Sequence, residues 1–127
     1  MILKNLMDIL IIFGDGVAKM TPQQLQAHLD IDVELAQVDI DPAHKDAFDA
    51  RARRHAADSQ ANEEGCLMFQ VNTDEDNPNR YLMYEIYVDK AAIETHMNSA
   101  HMQAFRSDSA DMVKDRVITF LDVVTDV

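Results

Sequence analysis

The sequence predicts an α+β fold: a four-stranded antiparallel sheet with helices on one face, in the split β-α-β order of ferredoxin-like folds. Three observations predict it. From residue 32 the chain alternates between period-two apolar runs and helical periodicity in the order β, α, β, β, short α, α, β. Two of the alternating runs, Cys66 to Asn72 and Tyr81 to Val88, are separated only by a turn-rich loop, the pattern of a hairpin. Each helical segment after residue 32 gathers its larger apolar residues on one stripe, so it has one side to bury.

Residues 1–31 form a helical extension ahead of the domain proper, residues 32–127. In MILKNLMDILIIF the polar Lys4, Asn5 and Asp8 share one face at helical spacing, and Gly14-Asp15-Gly16 ends the segment. A second helix starts at Thr21-Pro22-Gln23-Gln24, where Thr21 accepts from exposed amides, Pro22 suits the first helical position and Gln24 has capping-box spacing. Ile31 to Ile40 then alternates as a half-buried strand, and Asp41-Pro42 stops it and opens a helix to about Ala61. On that helix His44, Phe48, Ala52, His55 and Ser59 form one stripe; Phe48, its one large apolar side chain, turns the stripe and His55 toward the core.

Glu63-Glu64-Gly65 is a turn in which Gly65 supplies a backbone shape other residues resist. Cys66 to Asn72 is the second strand. The acidic loop Thr73 to Asn79 lacks the glycine and closing glutamate of a calcium loop, so it is a solvated hairpin connection. Arg80 to Val88 is apolar on both faces and therefore central, with Tyr81, Met83, Glu85 and Tyr87 on one face and Leu82, Tyr84, Ile86 and Val88 on the other. Asp89 caps a short helix that buries Ala92, Ile93, His96 and Met97. Asn98-Ser99 breaks it, Ser99 caps another helix along His101, Phe105 and Met112, and Val117 to Val124 is the last strand.

Composition narrows the function classes. A chain of 127 residues with 47% hydrophobic and 27% charged residues suits one globular domain. Its formal charge of −12 repels phosphate backbones and anionic lipid surfaces, which argues against nucleic-acid and membrane partners. The apolar start is interrupted by charge and falls short of the roughly 20 residues of a spanning helix. The lone Cys66 has no partner for an internal disulfide, and a reducing, cytoplasmic setting is expected.

Four side chains carry the candidate chemistry. Glu85 sits inside a central strand, where a carboxylate must be paired, hydrogen-bonded or at a cavity. His55, His96 and His101 lie on the inward stripes of three helices that cover one side of the sheet, so a shared pocket follows. The alternative for Glu85 is a carboxylate paired with an arginine or a backbone amide at a subunit contact, and for each histidine a hydrogen-bonded packing residue. His96 and His101 are five residues apart across a helix break, unlike a zinc helix, and no metal is expected. With glycine only at 14, 16 and 65, there is no dinucleotide fingerprint or P-loop, and no G-x-S-x-G elbow makes Ser99 a nucleophile.

The succession E-x-G-C-L-x-F at Glu63 to Phe69, then Tyr84-Glu85-Ile86-Tyr87-Val88-Asp89, Ala92, His96, Ser99, His101 and Phe105, resembles the antibiotic biosynthesis monooxygenase family. The resemblance spans roughly Asp32 to Val124 and implies a dimeric α+β barrel. Its members include cofactor-free oxygenases of quinols and aromatic polyketides, and an isomerase of a phosphorylated signalling ketone, autoinducer-2. The absence of tryptophan from the chain argues against the haem turnover of some relatives. The implied chemistry is deprotonation of a small aromatic or quinol substrate, whose anion then reduces dioxygen with no cofactor. His96 takes the role of base with His55 or His101 as partner, Tyr84 or Tyr87 orients the substrate, Ser99 offers a hydroxyl, and Phe48, Phe69 and Phe105 form the apolar wall. Under the isomerase alternative Glu85 and His96 are acid and base and Arg80 is a candidate phosphate contact. A third alternative is a non-catalytic dimeric ligand-binding or stress module.

Overall fold

The computed structural model describes residues 31–125. The expected helices of residues 1–31 therefore lie outside the described residues, Ile31 apart. Strand β1 (Asp32–Ile40) follows the expected alternation. The Asp41 carboxylate then accepts from Ala43 N at 3.0 Å and starts a single 3-10 turn, Pro42–His44, that feeds α1 (Lys45–Asn62). Helix α1 buries Phe48, Ala52, His55, Ala56 and Ser59, the stripe that its spacing dictates.

Strands β2 (Cys66–Asp74) and β3 (Asn77–Tyr87) form a hairpin closed by Glu75 and Asp76 alone, tighter than the seven-residue loop expected from the sequence. Side chains explain the difference: Asp74 accepts from Asp76 N at 2.8 Å and Asn77 from Asn79 N at 3.1 Å, so the polar run closes on its own backbone and stays in the ladder. Asp89 caps α2 (Lys90–Met97) by accepting from Ala92 N at 2.8 Å. Ser99 caps α3 (Ala100–Ser109), and β4 (Val113–Asp122) closes the chain, starting four residues earlier than the expected strand and ending two earlier.

All neighbouring strands are antiparallel, in the order β2-β3-β1-β4. Glu34 lies opposite Glu85 and Phe120, and Phe69 opposite Glu85, so these residues share the face covered by the helices. On that side Ala36, Val38, Ile40, Phe48, Ala52, Phe69, Tyr81, Met83, Tyr87, Ile93 and Phe105 form the core. The opposite face carries Leu35, Leu82 and Tyr84, half-buried, and Val117 and Leu121 of β4, 48% and 40% exposed. β4 is an edge strand that the helices leave largely bare, for Ile118 and Phe120 on their side are 37% and 59% exposed. Among the described residues, no helix is long and apolar enough to cross a membrane.

Candidate functional site

Three helices each deliver one imidazole to the same place. His55 of α1, His96 of α2 and His101 of α3 have ring centroids 5.2 to 6.0 Å apart. The break at Asn98-Ser99 makes this possible. The Ser99 hydroxyl donates to His96 O at 2.7 Å and accepts from Met102 N at 3.2 Å, ending α2 and starting α3 within one residue. Two histidines five positions apart can then converge, which a continuous helix forbids.

They converge on Glu63, a residue that the sequence reading left in a turn. Glu63 follows α1, its N–H donating to Ser59 O, and its side chain is only 5% exposed. One carboxylate oxygen, Oε2, lies 2.8 Å from His96 Nδ1 and also hydrogen-bonds His101 Nε2. The second oxygen, Oε1, is buried with no hydrogen-bond partner. Gly65 holds this turn against α2: a Cβ there would stand 2.5 Å from Ala92 Cβ. Glycine is thus required by the close approach of α2, which corrects the expectation that an unusual backbone shape required it.

On its other side His96 faces β3, with Nε2 at 3.8 Å from Glu85 Oε1. Tyr87 donates to that same oxygen at 2.6 Å, and Glu34 stands opposite Glu85 on β1, both side chains buried. Two buried carboxyls side by side favour a shared proton over two charges. Burial is the main cause that raises both, Glu85 well above the ordinary range, with the charge of Glu34 pushing Glu85 further. The pair titrates as a unit. Burial, followed by the Glu85 charge, also raises the Tyr87 phenol, which stays protonated.

His55 is the apolar member of the trio. Its ring stacks on Phe105 with centroids 4.2 Å apart and meets Phe69 edge-on at 5.3 Å, and its Nδ1 has no partner. Burial, with the neighbouring imidazoles and arginines, lowers its pKa to about 3, so it is neutral at physiological pH. Cys66 is buried too, its thiol pushed up to about 12 by burial and by the charges of Glu63 and Glu85. That makes it an inert thiol.

Between the helices and the sheet lies a cavity of about 50 Å³, opening into a depression of about 420 Å³ counted out to solvent. Its inner end is lined by Glu34, Glu85, His55, His96, Phe69 and Phe105, its outer end by Met97, Met102, Arg106, Arg116 and Ile118. Several expected site residues are elsewhere. Tyr84 points to the opposite sheet face, because the strand alternation that brings Glu85 inward sends its neighbour outward. Phe48 packs on Tyr81 and Phe105, beneath the wall instead of in it. Ser99 is occupied as a cap, and Arg80 is paired with Asp39 at 2.8 Å, away from the cavity. Glu63, His96 and His101 bring three metal-type donor atoms within 4.8 Å of one another; each nitrogen already has Oε2 as its hydrogen-bond partner.

Among curated proteins none matches the sequence at a significant level. A Pseudomonas aeruginosa protein of known structure is 26% identical, with a TM-score of 0.72 over 77% of this chain and 98% of its own. A Caulobacter crescentus protein, provisionally described as an antibiotic biosynthesis monooxygenase, is 25% identical, with a TM-score of 0.71 over 77% of this chain and 93% of its own. Rv0793 from Mycobacterium tuberculosis shares the fold at 19% identity, with a TM-score of 0.70 over 75% of this chain and 96% of its own. The family model of the antibiotic biosynthesis monooxygenases matches residues 33–108, from the second residue of β1 almost to the end of α3 and so across every histidine and glutamate of the site. The chain belongs to the antibiotic biosynthesis monooxygenase family.

Proposed function

We propose that the protein is a cofactor-independent monooxygenase of a small, electron-rich aromatic or quinol substrate, with His96 as general base. One observation carries this reading: His96 is held through Nδ1 by Glu63 at 2.8 Å while Nε2 faces the cavity side. A carboxylate at Nδ1 fixes the proton there and leaves Nε2 as the basic nitrogen, as in any oriented base. A substrate phenol or activated CH₂ gives its proton to Nε2. The resulting anion supplies the electrons to dioxygen, one oxygen atom entering the substrate and the other leaving as water. Glu63 is a positioning residue, His101 shares its carboxylate, and His55, Phe69 and Phe105 keep water from the reacting edge.

Size sets the pose. A cavity of about 50 Å³ takes one or two waters, whereas roughly 150 Å³ is needed for a benzene ring. The inner space therefore receives the reacting edge and dioxygen, and the ring lies in the mouth between Met97, Met102 and Ile118. Methionine side chains yield at such a mouth. We further propose a homodimer, supported by the apolar Leu35, Leu82, Tyr84, Val117 and Leu121 on the sheet face away from the helices. Light scattering should give twice the chain mass, and a monomer at micromolar concentration overturns it.

The test of function is oxygen uptake with a panel of hydroquinones and hydroxylated polycyclic aromatics, with no added cofactor and after treatment with a chelator. Uptake that survives chelation is expected. Uptake with no member of the panel, or uptake abolished by chelation, overturns the reading. The proton shared by Glu34 and Glu85 beside His96 favours a second reading, acid–base isomerisation of a small oxygenated ketone, in which Glu85 donates and His96 accepts. Isomerisation of a hydroxyketone without oxygen uptake would replace the first reading with it.

A further inference from the structure

Four of the chain's six arginines have a carboxylate within 4 Å: Arg51 on Asp108, Arg53 on Asp49, Arg54 on Asp58 and Arg80 on Asp39. The other two, Arg106 of α3 and Arg116 of β4, have no ion pair among the described residues, although the chain carries 23 acidic residues. Both line the same cavity. Arg106 is half-buried and its guanidinium donates to Met97 Sδ at 3.7 Å, a weak acceptor that leaves most of its donors unused. Arg116 stands opposite Val38 on the helix side of β4, so its side chain joins Arg106 at the outer end.

The cavity is therefore polarised along its length. Its buried lining holds Glu34, Glu85 and His96 beside the apolar Phe69, Phe105 and Met83, and its solvent-side lining carries the half-buried Arg106 and the exposed Arg116. An anionic group cannot rest beside Glu34 and Glu85, and a surface of net charge −12 repels it elsewhere. The outer end is where it is held. Planar guanidinium forks suit carboxylate and other oxyanions, and two of them lining one cavity fix an orientation as well as an affinity.

We infer that Arg106 and Arg116 form an oxyanion-holding rim, so that the substrate is an aromatic acid whose anionic substituent sits at the mouth and whose hydroxyl points inward to His96. This rests on the reading of the cavity as an aromatic-substrate site and narrows its substrate class. The rim gives direction: the hydroxyl end is delivered to the base because the acid end cannot enter.

The experiment compares 2,5-dihydroxybenzoate with hydroquinone, ligands that differ by one carboxylate, by anaerobic titration calorimetry so that binding is read without turnover. The carboxylated ligand should bind at least about tenfold more tightly, the scale of one charge-assisted hydrogen bond. The preference should shrink in Arg106→Gln/Arg116→Gln, be partly retained in Arg106→Lys/Arg116→Lys, and fall as salt is raised on the unmodified protein, a reading that needs no variant. Equal affinities, binding of neither ligand, or a preference that survives the glutamine variant overturns the rim; if Arg106 only balances the charge of Glu34, the variant weakens both ligands alike and the preference survives. Aerobic oxygen uptake then separates the two proposals. Preference without uptake leaves the rim and removes the oxygenase reading, and uptake with hydroquinone without preference does the reverse.

Discussion

His96 has a buried glutamate on each side, and the two glutamates live in opposite company. Glu63 meets two imidazole nitrogens, whereas Glu85 meets a phenol and a second carboxyl. Both side chains are at most 5% exposed, so depth of burial does not distinguish them. What differs is the partners. Among nitrogen donors a carboxylate can accept and orient; beside another carboxyl it must hold a proton. One residue type thus yields an anchor on one side of the ring and an acid on the other.

Glu63→Leu tests the anchor and should have the largest effect. The buried His96 and the half-buried His101 lose their acceptor, at up to about 1–3 kcal/mol for each donor left unsatisfied, and chemical denaturation should show the sum. A variant as stable as the parent would mean that water replaces the carboxylate. His96→Ala comes next, with turnover of an active quinol lowered by roughly 10²-fold or more, the usual scale for losing a general base, in a protein that stays folded. A packing histidine would reverse the pattern, costing stability and sparing activity per folded molecule.

The acid side is read by pH. Because burial raises the Glu85 carboxyl well above 4.5, the folded state keeps a proton that the unfolded chain releases; stability is full below about 4.5 and falls as pH rises through the raised value. His55 slopes the other way. Held at about 3 against an ordinary 6.5, it contributes full stability above 6.5 and loses it as pH drops toward 3. Thermal midpoints across the soluble pH range should therefore show Glu85→Gln gaining on the parent toward alkaline pH and His55→Phe gaining toward acid pH. Parallel curves for either variant would remove its group from the account. The smallest expected effect is at the cap shared by the two histidine helices: Ser99→Ala should cost about 1 kcal/mol, the usual loss of an N-cap, seen as a midpoint shift of a few degrees.

The order of elements was legible because each has a local cause: the alternation of β1 to β3, the caps Asp41, Asp89 and Ser99, and the stripe of Phe48, Ala52 and His55. The convergence of three histidines was legible for the same reason. Glu63 and Glu34 were not, since an acidic turn and an acidic strand position look solvated until their partners arrive from 33 to 51 residues away. For Glu63 a signal did exist in the E-x-G-C-L-x-F pattern that it heads. Tyr84 shows a different failing: the alternation already sent it to the far face, and only its phenol chemistry recommended it.

The bare edge strand bears on how the chain survives its own synthesis. Val117-Ile118-Thr119-Phe120-Leu121 is an uncharged, β-branched and aromatic run on a sheet edge, the composition from which strand-to-strand aggregates are templated. Lys114, Asp115 and Arg116 before it and Asp122 after it act as gatekeepers, and the formal charge of −12 keeps newly made chains apart by repulsion. Colloidal behaviour should accordingly depend on salt more than on heat: screening that charge exposes the edge to its copies before the fold itself is lost.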